Sequence, residues 1–197
     1  MIKSTLLSAA AITVLSLTSF NLLADWKVDN DQSTVSFISV KKTNVMEAHH
    51  FNNLSGKLSK EGAFSLVIDL ASVDTTISIR DQRMKEHLFE QSKFAQAIVS
   101  GSLSKNELTK LKTNVTATMT INAQLDLHGN KQPITLLMSV TKLSDSNLLV
   151  ASQKPVMIKA SDFGLVKGIE TLRNLAGLPS ISTTVPVSFV LRLNQYN

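Results

Sequence analysis

The chain has 197 residues, 20 of them basic and 15 acidic, so its net charge is +5, and it contains no cysteine. Without cysteine the protein forms no disulfide and carries no lipid on an N-terminal cysteine. Its charges are scattered, and one tryptophan and one tyrosine offer few rings on which bases could stack, so we expect no nucleic-acid partner.

A secretory signal peptide is predicted over residues 1–24. Lys3 precedes an apolar stretch that ends near Leu17 and is interrupted by Ser and Thr. This stretch is shorter than the roughly 20 apolar residues that span a bilayer, and Ala24 places a small side chain at the cleavage position. We therefore expect cleavage after Ala24, a periplasmic location and one mature domain over residues 25–197, long enough for a single core.

The first part of the mature chain predicts three strands, of which the last two form a hairpin. After an opening segment over residues 26–29 and a turn, they cover residues 34–40, 51–60 and 64–70. Gly56 lies inside the second strand and is expected to mark a bulge or a close approach of backbone. Beyond residue 74 the polar residues cluster, and Met84 and Leu88 are four apart. This spacing predicts one or two helical turns over residues 80–90.

A further strand is predicted over residues 97–103, and the strongest strand signal comes after it. From residue 115 to residue 127, apolar and polar residues alternate without a break. Because successive strand side chains point to opposite sides, this run is a strand with one dry face, and at about 3.3 Å per residue it extends roughly 40 Å. His128 and Gly129 then make a turn, and a second alternating run over residues 134–141 completes a hairpin.

The last part of the chain predicts two strands and a helix. One strand covers residues 148–161 around Pro155, which has no backbone N–H and therefore belongs at an edge or a bulge. The helix covers residues 168–176 and is ended by Gly177 and a proline two residues later. The final strand covers residues 183–193, where apolar and polar residues alternate again.

About eight strands, two short helical insertions and no linker predict one all-β domain, either a sandwich or an up-and-down barrel. An eight-stranded barrel is either filled by its side chains or just wide enough for one small ligand. On the dry face of the strand over residues 115–127, Ala117 and Ala123 are small. They either leave room for a ligand or accept bulky side chains such as Phe37 or Phe189. An integral outer-membrane barrel is disfavoured, because ten aromatic residues are too few for two interfacial girdles.

No catalytic constellation is present in the sequence. The chain has no cysteine nucleophile and no Gly-x-Ser-x-Gly motif, so we expect neither enzymatic activity nor a cofactor. His49 and His50 are adjacent and would point to opposite faces of a strand, so they would not chelate one ion together. A metal site would need His87 or His128 beside one of them, with Glu47 as a helper. We predict no metal site.

Arg80 and Asp81 begin the predicted helix. They either form a local ion pair or lie at the mouth of a cavity, where Arg80 and Arg83 would bind an anionic head group. A guanidinium suits this second role, because it can donate two parallel hydrogen bonds to phosphate. The sequence leaves both alternatives open.

Several short motifs occur in order along the mature chain. They are Trp26-Lys27-Val28-Asp29, Leu54-Ser55-Gly56, Ile68-Asp69, Ser72-Val73-Asp74-Thr75, Arg80-Asp81, Leu125-Asp126-Leu127-His128-Gly129 and Asp162-Phe163-Gly164-Leu165. In this order and spacing they resemble the YceI-like family of exported lipid-binding proteins. The resemblance implies an extended lipocalin-like antiparallel barrel, closed by helical insertions, whose lumen binds a long apolar molecule such as a polyisoprenoid. It also marks His128 as a family residue, to which we assign a structural role in fixing the turn by hydrogen bonds to backbone.

We therefore expect a non-enzymatic periplasmic carrier that holds a polyisoprenoid or another long-chain lipid in the lumen of an eight-stranded barrel. The residues expected to contact this ligand are Phe37, Phe51, Leu66, Ile68, Met119, Ile121, Ala123, Leu136, Met138, Phe163 and Phe189. Further partners to consider are a membrane surface, contacted transiently, and a second copy of the chain in a homodimer. The alternative is a periplasmic stress-related or metal-binding protein that uses its histidines and has a packed barrel core.

Overall fold

The computed structural model describes residues 26–195, so the predicted signal peptide lies outside the described residues. Within them, eleven strands form one sheet. The strands are β1 (Trp26–Lys41), β2 (Val45–Phe51), β3 (Leu54–Leu58), β4 (Ala63–Asp69), β5 (Val73–Asp74), β6 (Gln96–Ser102), β7 (Thr116–Leu127), β8 (Asn130–Ser144), β9 (Asn147–Ser152), β10 (Val156–Lys159) and β11 (Thr184–Gln195).

Eight of these strands close into an antiparallel barrel. Around the ring they follow the order β1, β3, β4, β6, β7, β8, β9 and β11, and the pairing of β11 with β1 closes it. The all-β fold with an eight-stranded barrel is therefore confirmed, and the sandwich alternative is wrong. β1 is long enough to change its partner, since Trp26 and Lys27 pair with β3 whereas residues 35–41 pair with β2.

The strand directions define two ends of the barrel, which we call the base and the lid end. At the base, Trp26 of β1 pairs with Gln195 of β11. At the lid end the wall is extended by β2, β5 and β10, which pair with the upper parts of β1, β2 and β11.

Helices close both ends of the barrel. Helix α1 (Ser78–Arg83) and the π-helical turn Met84–Leu88 that continues it lie at the lid end. Helix α2 (Lys105–Thr109) lies at the base, and helix α3 (Val166–Leu175) lies at the lid end. Two 3-10 turns cover Leu70–Ser72 and Ala160–Phe163. None of the helices within residues 26–195 is long and apolar enough to cross a bilayer.

Both predicted helical segments are present, and the structure contains one further helix that the sequence pattern does not predict. The helices predicted over residues 80–90 and 168–176 are present as α1 with its π-helical turn and as α3. Periodicity does not predict α2, although Ser104 and Glu107 have the spacing of a capping box and form one.

Two predicted strand boundaries are wrong. The strand predicted over residues 148–161 is divided into β9 and β10, with Pro155 in the link between them. The strand predicted over residues 34–40 begins earlier, at Trp26, so that the opening segment and the predicted turn belong to β1, whose register shifts between Asp29 and Thr34. Of β2, only the last residue, Phe51, lies in a predicted strand.

β7 and β8 form the long hairpin that the alternation predicts. Twelve consecutive residue pairs join them, from Thr116 to Leu127 along β7. The connecting loop consists of His128 and Gly129 alone, whose φ values are 53° and 74°. Two successive residues with positive φ make the type I′ turn, which suits the twist of a hairpin.

Gly56 in β3 marks a close approach of backbone, one of the two roles expected for it. A Cβ atom at this position would lie 2.7 Å from the carbonyl oxygen of Ser65 and 2.8 Å from Cγ2 of Val28. Carbon atoms in contact normally lie about 3.5–4.0 Å apart. The Val28 side chain and strand β4 can therefore pack this closely only over a residue without a side chain.

Gly56→Ala is expected to destabilise the barrel, because the added methyl group must displace either the β4 backbone or Val28. Overpacking of this kind costs about 1–3 kcal/mol of unfolding free energy, which urea denaturation measures. The control is Ser55→Ala, at an exposed position of the same strand, which should change the unfolding free energy by less than about 0.5 kcal/mol. Equal stability of the two variants would contradict the close approach.

Candidate functional site

The inward faces of the strands surround a cavity of about 240 Å³. Its wall is formed by 34 residues, and every one of them is apolar. At the base the wall includes Leu58, Leu103 and Leu108, and at the lid end it includes Met84 and Leu165. An apolar ligand in this lumen would contact no polar side chain.

Eight of the eleven residues expected to contact a ligand line this cavity. They are Phe37, Phe51, Leu66, Ile68, Ile121, Leu136, Met138 and Phe189. The other three, Met119, Ala123 and Phe163, are buried but do not belong to the cavity wall. The structure thus brings eight of them together around one space, and their contact with a ligand stays a prediction.

Ala123 is buried, and its cross-strand partner Gly101 lies under an aromatic ring. A Cβ atom on Gly101 would lie 2.8 Å from Cζ of Phe64 and 3.4 Å from Cα of Ala123. The ring over Gly101 belongs to Phe64, which itself lines the cavity, and both alternatives for the small residues of β7 stay predictions.

The sequence does not reveal the part of the wall that comes from the lid end. Five residues of the two helical segments there line the cavity, namely Met84, Leu88, Phe89, Leu165 and Ile169. The spacing of such residues predicts helices, but it does not show which space their apolar sides face. We call the two segments that carry them, residues 77–89 and 165–175, the lid.

The two segments of the lid meet at one close contact. A Cβ atom on Gly168 of α3 would lie 2.7 Å from the carbonyl oxygen of His87 and 2.8 Å from Cα of Leu88. A glycine at this position lets α3 approach the π-helical turn closely. Phe89 then joins the lid to the barrel wall, since its ring centroid lies 6.0 Å from that of Phe51.

A polar layer follows the apolar wall at the lid end. Beyond Phe37 and Phe51, the same faces of β1 and β2 continue with Ser39 and His49, which are joined by a hydrogen bond of 2.9 Å. The His49 side chain is only 4% exposed, and its ring centroid lies 5.2 Å from that of Phe37. Burial lowers the pKa of His49, and the charge of Arg80 lowers it further, so the neutral imidazole is favoured.

Arg80 ties the lid to the barrel. Its Nη1 lies 2.6 Å from Oε2 of Glu47 on β2, and its Nη2 donates to the carbonyl oxygen of Thr75. Nζ of Lys41 lies 2.8 Å from the same Glu47 oxygen. Hydrogen bonds from Lys41 and Arg80 hold the pKa of Glu47 below its ordinary value. Arg80 is therefore paired across elements with Glu47, and Asp81 accepts a hydrogen bond from the Thr75 N–H.

Arg83 joins the two segments of the lid. Its Nη1 donates to the carbonyl oxygen of Leu175, at the end of α3, over 3.3 Å. Neither Arg80 nor Arg83 is part of the cavity wall. Their contact with an anionic head group stays a prediction.

The other histidines lie on different parts of the surface. His50 points to the opposite face of β2 from His49, as expected, and lies 3.8 Å from the carboxylate of Asp74. His87 lies 3.8 Å from the carboxylate of Glu86. In the part of the chain that the structure describes, no three His, Asp or Glu side chains are grouped so that they could hold a metal ion.

The hairpin turn at His128 is fixed differently from our expectation. The ring of His128 packs on Phe94, with 4.3 Å between centroids, and its buried Nε2 has no hydrogen-bond partner within residues 26–195. The side chain of Asn130 instead donates to the carbonyl oxygen of His128 over 3.0 Å.

His49 makes the stability of the fold depend on pH. Because its pKa is lowered in the folded protein, its contribution is complete above the ordinary value of 6.5 and is lost as the pH falls towards the lowered value. Between about pH 8 and pH 5 we expect the unfolding free energy of the wild type to fall more steeply than that of His49→Gln, as measured by urea denaturation. The difference at the higher pH gives the baseline cost of the altered hydrogen bond to Ser39. Parallel profiles would show that His49 titrates as it does in the unfolded chain.

Comparison with known proteins gives one family and several similar structures. The family model of the YceI-like domain matches residues 26–193. A polyisoprenoid binding domain from Saccharophagus degradans, implicated in plant cell wall breakdown, is 42% identical with a TM-score of 0.85, and the match covers 88% of this chain and 99% of that one. No curated protein matched the chain.

Two more distant structures share the fold. BcnA from Burkholderia cenocepacia is 19% identical with a TM-score of 0.65, over 84% of this chain and 98% of that one. The YCEI protein of Campylobacter jejuni is 14% identical with a TM-score of 0.55, over 76% of this chain and 85% of that one. The family match spans nearly all of the described residues, and the 42% identical domain shares the closed barrel over almost its whole length. The chain therefore belongs to the YceI-like family.

Proposed function

We propose that this protein is a carrier that holds a polyisoprenoid or another long-chain apolar molecule in its lumen and catalyses no reaction. One observation carries the proposal, namely a cavity whose 34 lining residues are all apolar. The alternative of a metal-binding protein assumes a packed core, which this cavity does not favour. The polyisoprenoid binding domain from Saccharophagus degradans, at 42% identity, supports the same class of ligand.

The affinity in this proposal comes from burial. Each CH₂ group removed from water contributes about 0.8 kcal/mol, so a preformed apolar lumen binds a long chain without any reactive group. A polar group inside this wall would lose its hydrogen bonds to water and find no partner, at a cost of about 1–3 kcal/mol. The lumen therefore favours long apolar chains over polar molecules.

The polar end of such a ligand would lie at the lid end of the lumen. There the polar layer of Ser39 and His49 follows directly on Phe37 and Phe51. A neutral head group could exchange hydrogen bonds with this layer. An anionic head group that reached Arg80 would have to compete with the carboxylate of Glu47.

Ile121→Trp tests binding in the lumen. The larger side chain would displace about two CH₂ groups of ligand, which costs roughly 1.6 kcal/mol or about tenfold in affinity. Thr120→Trp is the matched control, because Thr120 precedes Ile121 on β7 and its side chain is exposed on the outer face. Organic extraction of each purified protein, followed by mass spectrometry, measures the apolar ligand retained per chain.

The control should retain as much ligand as the wild type, and Ile121→Trp much less. Equal retention by the two variants would show that any apolar ligand binds outside the lumen. A wild-type protein without apolar ligand but with stoichiometric metal would overturn the carrier and favour the histidine-based alternative. Urea denaturation confirms that both variants are folded.

We also propose that the carrier is exported to the periplasm. The support is the order of Lys3, a short apolar stretch and Ala24 within residues 1–24. Expressed with these residues in a bacterium, the protein should be recovered from the periplasmic fraction with Asp25 as its first residue, as measured by intact mass. A chain without residues 2–24 is the control and should stay in the cytoplasm. A periplasmic protein that retains residues 1–24 would contradict cleavage at this site.

A further inference from the structure

Exposed apolar side chains cluster at the lid end of the barrel. Met46 is 70% exposed and Ile79 is 52% exposed, and three further apolar residues beside them are exposed as well. We call this set the lid patch, and its members are Val45, Met46, Ile77, Ile79 and Leu175. Their number at one end of the molecule distinguishes them from isolated exposed apolar residues, which need no explanation.

Side-chain contacts hold the three segments of the lid patch together. Ile79 is followed by Arg80, and Met46 is followed by Glu47, and these two charged residues are joined over 2.6 Å. The Leu175 carbonyl oxygen accepts a hydrogen bond from Arg83, one turn of α1 after Ile79. These contacts place the start of β2, the start of α1 and the end of α3 next to one another at the lid end.

The charge around the lid patch is positive. The segments that carry it, residues 41–47, 74–83 and 173–178, contain five basic and three acidic residues. The basic residues are Lys41, Lys42, Arg80, Arg83 and Arg173. Lys41 and Arg80 are paired with Glu47, and five basic less three acidic residues leave these segments with a net charge of +2. Exposed apolar side chains beside a net positive charge match the surface of an anionic bilayer, where the apolar groups enter the acyl boundary and the cations meet the phosphates.

The lid patch lies on the outer side of elements whose inner side faces the lumen. Ile77 and Ile79 are exposed at the start of α1, whereas Met84, Leu88 and Phe89, which follow on the same segment, line the cavity. We propose that the lid patch docks the protein on an anionic membrane surface. This rests on the proposed carrier function, since docking at this end brings the lid, and the lumen behind it, next to the bilayer from which an apolar ligand would be taken or to which it would be delivered.

Vesicle flotation of the purified full chain tests the docking surface. The probes are vesicles of phosphatidylglycerol and phosphatidylcholine in equal parts, and vesicles of phosphatidylcholine alone. We expect the wild type to bind the anionic vesicles and to be released by salt. The affinity of the double variant Met46→Ser with Ile79→Ser for these vesicles should be lower by roughly tenfold or more. Val115→Ser is the matched control, because Val115 is as exposed as Ile79, at 52%, but lies near the base.

Three results would overturn the docking surface. The first is equal binding of the double variant and the wild type, and the second is equal loss in the Val115→Ser control. The third is a concentration-dependent dimer, seen by sedimentation without vesicles, that the double variant abolishes, because a second copy of the chain would then cover the patch.

Extraction of ligand from the same variants keeps the two proposals apart. A double variant that keeps its ligand but loses vesicle binding supports docking, and vesicle binding by a wild type that contains no apolar ligand would refute the carrier alone.

Discussion

The pairing of β1 with β11 is the contact on which the lumen depends. It closes the ring, and it joins residues about 150 positions apart in the chain, such as Val35 with Phe189 and Phe37 with Val187. All four line the cavity. Without this pairing the sheet would have two free edges, and its apolar wall would be open to water along one side.

This seam contains an irregularity that polar side chains compensate. The register shifts between Asp29 and Thr34, so a regular ladder does not satisfy every backbone group there. The N–H of Arg192 donates to the hydroxyl of Ser33 over 2.9 Å, and Asn194 donates to the carboxylate of Asp29 over 2.9 Å. Beyond the shift, β1 no longer pairs with β3 and pairs with β2 instead. The irregularity thus precedes the part of the wall that carries the polar layer and supports the lid.

Local alternation predicts the features that depend on one strand and its neighbour. The β7–β8 hairpin and most of the predicted lumen residues follow from it, because a strand with one dry face has little freedom of register. β2 does not follow, because Glu47 and His49 place polar groups on its inward face and hide its period. The position of Phe64 over Gly101 does not follow either, because it depends on the pairing of β4 with β6.

The apolar wall has two roles in a chain without cysteine. Its side chains are the core of the barrel, yet around the lumen they lack the contacts that a fully packed core would give them. A long apolar ligand would supply those contacts, and since it binds only the folded chain it would also raise the stability of the fold. Phe37, Ile121 and Phe189 would therefore hold the fold and the ligand through the same surface. Substitutions at such positions change both properties together, whereas those on the outer faces and in the lid patch can change partner contacts while leaving the core intact.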